Sequence, residues 1–236
     1  MAEVFAIDRD TVVKLDREGF NGGADREAAI LRELASCGLP VPEVIDLVVI
    51  EGRHGIVMQR LHGPLLSELI RASNGTADLA ESFVELHASI STQVISTAPD
   101  LVQRLAKQIE RSGLPVVTRT ELIQHMRGYA GDVGLCHFDF HPDNVVVTES
   151  GWKVIDWEAA GSGPPVADFV RSLLLRADTR HDRTVAFMNH VRACGMSRRG
   201  LDHDCVNAWT RSLAAARLSE GFDGEYSSRL AAIALG

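Results

Sequence analysis

The stretch LCHFDFHPDN, residues 135–144, sets two histidines, two aspartates and an asparagine within eight positions. Apolar Leu135-Cys136 precedes it and the apolar run Val145-Val146-Val147 follows. Three kinds of chemistry suit such a segment. The alternation His137, Asp139, His141 would present three metal ligands on one face of a strand, as a zinc-type site requires. Pro142 opposes that reading, because it removes a backbone donor and disfavours a strand that continues past His141. No other cluster of His, Cys or Asp offers further ligands.

A polar turn that satisfies its own backbone accounts for Asp143-Asn144. It leaves the apolar flanks unexplained, and also a second acid, Asp156, enclosed by Ile155 and Trp157 in KVIDW. A carboxylate in such surroundings needs a partner or a cation. The third reading joins these features. His137-x-Asp139, then Asn144 five residues after Asp139, a short hairpin, and Asp156 at its far end have the layout of a phosphoryl-transfer site. In it, Asp139 would orient a hydroxyl and receive its proton. Asn144 and Asp156 would supply hard oxygen ligands to the Mg²⁺ of a nucleotide.

Such a site needs a cation for the phosphates. TVVKLD places Lys14 inside an apolar strand, where an unpaired ammonium is costly. The helix that follows offers Glu27 as its partner, with Glu33 as an alternative. A solvated edge-strand lysine is the plainer reading of Lys14 taken alone.

The rest of the chain fits an α+β architecture. VFAI and TVVKL read as two strands, ADREAAILRELASCG as a helix with Asp25 at its N-cap, and VIDLVVIEGRHGIVMQRL as a hairpin turning at Gly52 to Gly55. Helical patterns follow at about 77–90, 100–112, 118–129, 166–177, 181–194, 201–219 and 224–235. NVVVTESGWKVIDW reads as a hairpin turning at Ser150-Gly151. The expected domains are a sheet-rich N-lobe over residues 1–61 and a larger helical C-lobe over 62–236.

The chain of 236 residues is 45% hydrophobic and 24% charged, which allows a sizeable core. A net charge of −8 argues against nucleic acid as the main partner. No apolar run approaches the ~20 residues that span a bilayer, so no membrane association is expected. MAEVFAIDRD lacks the basic start of a signal peptide. Cys37, Cys136, Cys194 and Cys205 form no C-x-x-C pair and read as reduced, mostly buried thiols of a cytoplasmic protein.

LCHFDFHPDNVVV…WKVIDWEAAGSGPPVADFVRSLLL resembles the H-G-D-x-H-P-x-N…I-D-W…G-P-x-x-D signature of the aminoglycoside phosphotransferase and choline-kinase-like family, which has a protein-kinase-like fold. REAAILRELASCGLPVPEVID, IVMQRLHG and VELHASI are similar to its helix, its inter-lobe strand and its Leu-His helix. The resemblance covers the chain to about residue 178. It implies a two-lobed fold that uses ATP and Mg²⁺ to phosphorylate a hydroxyl of a small molecule. On that resemblance Asp139 is the catalytic carboxylate, and Asn144 and Asp156 are the metal ligands. Lys14 and Glu27 hold the ATP phosphates, and Gln59, Arg60 and Leu61 meet adenine. His137 and Asp168 shape the catalytic loop, His141 and Pro142 are scaffolding, and His87 packs. A nucleotide-binding or regulatory protein with little turnover is the alternative.

Two departures from that family are visible. Phe138 stands where the signature has glycine, a residue that often serves an unusual backbone torsion. Thirteen residues precede Lys14, so the N-lobe is expected to be truncated, without its first strand and phosphate-covering turn. Such a lobe should hold nucleotide more weakly and leave VFAI as an unprotected edge. The C-terminal acids Glu220, Asp223 and Glu225 suit either a cationic acceptor or a plainly solvated end. Oligomeric state is not encoded in any motif.

Overall fold

The computed structural model describes residues 2–19, 22–73, 75–175, 181–222 and 224–236. In chain order the first elements are β1 (Glu3–Ala6), β2 (Thr11–Leu15), α1 (Gly23–Ser36), β3 (Val44–Ile50) and β4 (Arg53–Gln59). Then come α2 (Leu66–Ala72), α3 (Ala77–Ser91), α4 (Leu101–Glu110), α5 (Val116–Arg127) and β5 (Gly134–Cys136). A 3₁₀ turn at Pro142–Asn144 leads into β6 (Val145–Thr148) and β7 (Gly151–Val154). The chain continues with β8 (Gly161–Gly163), α6 (Pro165–Leu175), α7 (Asp182–Arg199), α8 (His203–Arg217) and α9 (Gly224–Leu235).

These elements pack as two compact units, each discontinuous in sequence. One comprises Met1–Ala72, Ile95–Ala98 and His141–Ala159. The other comprises Ser73–Val94, Pro99–Phe140 and Ala160–Gly236. The sequence reading divided the chain at Leu61. The difference arises because the β6–β7 hairpin, far along the chain, packs with the N-terminal elements. Val147 N–H donates to Pro64 O at 2.9 Å and Val154 N–H to Pro40 O at 2.7 Å. A Cβ on Gly63 would lie 2.0 Å from Val147 O, so only glycine permits this approach.

The first unit is built on an antiparallel sheet of order β1-β2-β4-β3. Its core includes Val13, Leu15, Ile30, Leu31, Leu34 and Ile56, the apolar positions at strand and helix periods in TVVKL, AAILREL and GIVM. The β3–β4 turn is Glu51-Gly52, with φ of 51° and 78°, the paired positive torsions that a tight two-residue hairpin requires. It is shorter than the expected turn, and Gly55 lies within β4. Helix α1 begins at Gly23, so Asp25 falls in its first turn and bonds His54 Nδ1 at 2.8 Å instead of capping. The β6–β7 turn is Glu149-Ser150, one residue before the expected position. β1 is an exposed edge strand, as expected for VFAI.

The second unit is mainly helical. α8 is its central helix, burying Trp209, Leu213, Ala214, Ala215 and Ala216, and it packs on α4, α5, α6 and α9. Asp100 and Asp202 cap α4 and α8 by accepting from Gln103 N and Cys205 N. The three-residue strands β5 and β8 pair antiparallel and deliver the chain to His137. Of the four free cysteines only Cys136 is buried, and Cys37 is exposed, contrary to expectation. Among the described residues no helix is long and apolar enough to cross a membrane.

Candidate active site

In the first unit the sheet register builds one wall of a cavity of about 440 Å³. Val4 pairs with Lys14 and Val12 with Met58, so these four side chains share a face. Leu31 from α1 and Val146 and Ile155 from the hairpin supply other apolar walls. Lys14 Nζ lies 2.6 Å from Glu27 Oε2 and 2.7 Å from Asp156 Oδ1. Glu27 Oε1 accepts the Trp157 N–H at 3.0 Å, so α1 is tied to the residue after Asp156. Burial pulls the Lys14 ammonium down, but Glu27 and Asp156 outweigh it and hold the group above its ordinary value. Burial pushes Glu27 up, against the pull of Lys14.

Asp156 adopts a left-handed backbone with φ of 63°, and its side chain is 44% exposed. A non-glycine residue held there costs about 1–3 kcal/mol, which the surrounding contacts must offset. Asn144 ends the 3₁₀ turn before β6 and accepts the Ile155 N–H at 3.0 Å. Its Nδ2 is 3.3 Å from His141 Nε2, and His141 Nδ1 is 3.6 Å from Asp143 Oδ2. Where Nδ1 carries the proton, Nε2 accepts from the Asn144 amide. Glu27, Asp156 and Glu158 offer carboxylate oxygens within 4.8 Å of one another, the one such group among the described residues. Glu27 is already engaged by Lys14 and Trp157. Asp156 and Glu158 offer carboxylate oxygens to the cavity that Asn144 also lines, and such hard oxygen donors are of the type that suits Mg²⁺ and not a soft metal.

In the second unit, β5 ends at Cys136 and the chain bends at Phe138-Asp139. Asp168, on α6 and wholly buried, accepts the backbone N–H groups of His137 and Phe138, each at 2.8 Å. Its Oδ2 is also 3.1 Å from His87 Nε2, close enough for charge though outside good hydrogen-bond alignment. Arg199 donates to His87 Nδ1, so the His87 proton faces Asp168. Burial would push Asp168 up, but His87, His137 and the Phe138 amide hold it below the usual carboxylate range. His137 Nδ1 accepts the Asp139 N–H at 3.2 Å. Phe138 is left-handed, φ 64°, the torsion for which glycine is suited. Its buried ring is covered by the guanidiniums of Arg104 and Arg171, 5.2 and 4.9 Å from the centroid.

A model of the phosphotransferase enzyme family matches residues 3–193. The chain belongs to this family. Among solved structures, this phosphotransferase-family chain is similar to a thermostable mutant of aminoglycoside phosphotransferase APH(4)-Ia in a ternary complex with ADP and hygromycin B. The TM-score is 0.68 at 16% identity, covering 99% of this chain and 92% of that one. Choline kinase LicA from Streptococcus pneumoniae gives 0.63 at 15% identity, covering 99% and 88%. Aminoglycoside phosphotransferase APH(3'')-Id from Streptomyces rimosus ATCC10970, in complex with ADP and streptomycin, gives 0.63 at 16% identity, covering 93% of each chain. These likenesses establish the kinase-like fold. A curated relative, the EKC/KEOPS complex subunit BUD32 of Encephalitozoon cuniculi (strain GB-M1), is 33% identical over 99 residues. The match takes in 37% of this chain and about half, 47%, of that relative.

In this family member the sequence-expected residues divide between the two units. Lys14, Glu27, Gln59, Arg60, Leu61, Asn144 and Asp156 all line the cavity of the first unit. Gln59 and Arg60 donate their N–H groups to Glu43 O and Asp10 O, whereas the Leu61 N–H has no such partner among the described residues. Glu33, the alternative partner for Lys14, lies elsewhere and binds Ser96 and Thr97. His137, Asp139 and Asp168 belong to the second unit. The His137-x-Asp139-x-His141 strand does not form, because β5 stops first and Pro142 opens a 3₁₀ turn.

Three features were missed. Glu158 is two residues beyond Asp156, so the acid in IDWE was a visible signal. His87 was expected to pack, and its polar contact with Asp168 had no local signal. Glu220 suited either a cationic acceptor or a solvated end, and neither reading foresaw that two buried arginines, Arg171 and Arg217, neutralise it. Glu225 is exposed, and Asp223 lies outside the described residues.

Proposed function

We propose that the chain transfers the γ-phosphoryl group of ATP to a hydroxyl of a small molecule. The observation that carries this is Lys14, held between Glu27 and Asp156 beside an apolar cavity with room for a purine. A buried ammonium tied to a helix carboxylate is the arrangement that grips nucleotide phosphates in kinase-like folds. Leu61 N–H would donate to the base. Asp156, with Asn144 and Glu158, would hold Mg²⁺, which would neutralise phosphate charge when bound. Asp139, its backbone positioned through His137 and Asp168, would orient the acceptor hydroxyl and take its proton.

Calorimetric titration of ATP with and without Mg²⁺, on the unaltered chain and Asp156→Ala, tests the nucleotide half. Mg²⁺-dependent binding that disappears in the variant is expected. ATP binding indifferent to both would sink the assignment. A second reading, a nucleotide-binding subunit with little turnover, is favoured by the relative named as a subunit of a complex. Steady ATP consumption that depends on an added small hydroxyl compound would exclude it.

A further inference from the structure

Arg171 of α6 and Arg217 of α8 are each about nine-tenths buried, with side chains 10% and 9% exposed. Both face one carboxylate. Arg171 donates Nη1 and Nη2 to Glu220 Oε1 at 3.2 and 3.3 Å, and Arg217 Nε is 3.6 Å from Oε2. Arg171 Nε and Arg217 Nε and Nη1 are buried without a hydrogen-bond acceptor among the described residues. Each guanidinium has an aromatic platform: Phe138 beneath Arg171, at 4.9 Å, and Phe222 and Tyr226 beneath Arg217, at 5.0 and 5.4 Å. Two stacked, prepositioned forks sharing one carboxylate are a poor way to build a core, because unsatisfied buried N–H groups are costly. They are a good way to build an anion site, because a planar fork matches carboxylate and phosphate geometry.

The pair also adjoins the proposed catalytic loop. Phe138, which carries Arg171, is the neighbour of Asp139, and the Asp139 charge acts on Arg171. Burial pulls the Arg171 guanidinium below its ordinary value, with Glu220 opposing, so a further anion would relieve it. Glu220, 29% exposed, is the open edge of the cluster.

We infer that the acceptor bears an anionic group, a carboxylate or a phosphate, bound by Arg171 and Arg217, so that the substrate is a hydroxylated acid or a sugar phosphate and not an aminated compound. This rests on the phosphotransferase reading for the word acceptor. The anion site itself stands without it.

The first test needs no turnover. Thermal unfolding of the full chain is followed against inorganic phosphate and, separately, malonate, each matched to chloride at equal ionic strength. A saturable rise with either anion, kept in Lys14→Met and lost in Arg217→Gln, is expected. Phosphate alone acting would assign a phosphate-bearing acceptor, and malonate alone a carboxylate. No rise beyond chloride on the unaltered chain, or a rise lost only in Lys14→Met, overturns the proposal. Arg217→Lys, which keeps the charge without the fork, serves if the glutamine variant does not fold. In a second test, hydroxy acids, sugar phosphates, amino alcohols and aminosugars are compared as acceptors with Mg²⁺-ATP. The anionic members should lead, and Arg217→Lys should raise their KM by about 30-fold or more without changing ATP affinity. Preferential turnover of an aminated acceptor would overturn the proposal. Failure of every acceptor despite a saturable anion effect would instead count against the phosphotransferase reading.

Discussion

Lys14 and Asp156 are 142 residues apart in sequence, and their side chains meet at 2.7 Å, with Glu27 on the other side of the same ammonium. One lysine thus fixes strand β2, helix α1 and the end of the β6–β7 hairpin. Removing it leaves Glu27, 3% exposed, without its counter-charge.

Lys14→Met should therefore destabilise the chain by about 3 kcal/mol at neutral pH. Glu27 is already raised by burial, and loss of Lys14 raises it further. A carboxyl with a raised folded-state value stabilises less as pH climbs above its unfolded value. The penalty should accordingly be smaller at acidic than at neutral pH, because Glu27 takes up a proton as pH falls through its raised value. Denaturant midpoints at the two pH values check this, and an equal loss at both would contradict it.

Asp139→Asn should lower acceptor phosphorylation by about 10²–10⁴-fold, the range for a lost proton acceptor. ATP affinity should stay unchanged, because the nucleotide cavity belongs to other residues. Single-turnover phosphotransfer and calorimetry separate the two. A proportionate fall in ATP binding would mean that Asp139 acts on nucleotide instead.

Asp168→Ala should cost about 3–5 kcal/mol, since it frees two backbone donors and leaves His87 facing an emptied site. Asp168 lies below the usual carboxylate range, so its stabilisation is present above the ordinary aspartate value. It fades as pH falls through the depressed one. The acid limb of the stability curve should flatten in the variant, as urea melts at stepped pH would reveal.

Glu33 accepts four hydrogen bonds from Ser96 and Thr97, which hold its carboxyl at about 2. This tether of Ile95–Ala98 to α1 should persist above about pH 4.3 and be lost as pH falls toward about 2. Carbon-detected titration of the Glu33 carboxyl checks the midpoint. An ordinary glutamate value would mean the tether does not hold in solution.

Phe138→Gly would relieve the positive torsion, worth about 1 kcal/mol, but would delete a buried ring worth about 3–5 kcal/mol. The net loss should be about 2–4 kcal/mol. If the variant is instead more stable, strain outweighs packing at this position and Arg171 does not depend on its platform.

Local chemistry made much of this legible. The period-2 runs, the helical spacing of Ile30, Leu31 and Leu34, and the Pro142 turn each report on a few neighbouring residues, and all were readable. Turn positions were one or more residues off, because Glu51-Gly52 and Glu149-Ser150 are set by strand pairing and not by the nearest glycine. Assignment of the β6–β7 hairpin to the first unit was also out of reach, since its two anchoring bonds join backbone groups about a hundred residues apart. Backbone carries no sequence label.

By itself the sequence determined the order of the longer strands and helices, though not α2, β5 or β8, together with the strand lysine and the spacing of Asp139, Asn144 and Asp156, because these depend on residue type and short separation. Only the tertiary structure decided that Glu27 and not Glu33 meets Lys14, that Glu158 joins Asp156, and that Glu220 is neutralised by Arg171 and Arg217. Each of these is a choice among chemically equivalent acids. Electrostatic attraction does not distinguish one carboxylate from another along a chain. Distance and burial do, and both are fixed only when the chain has packed.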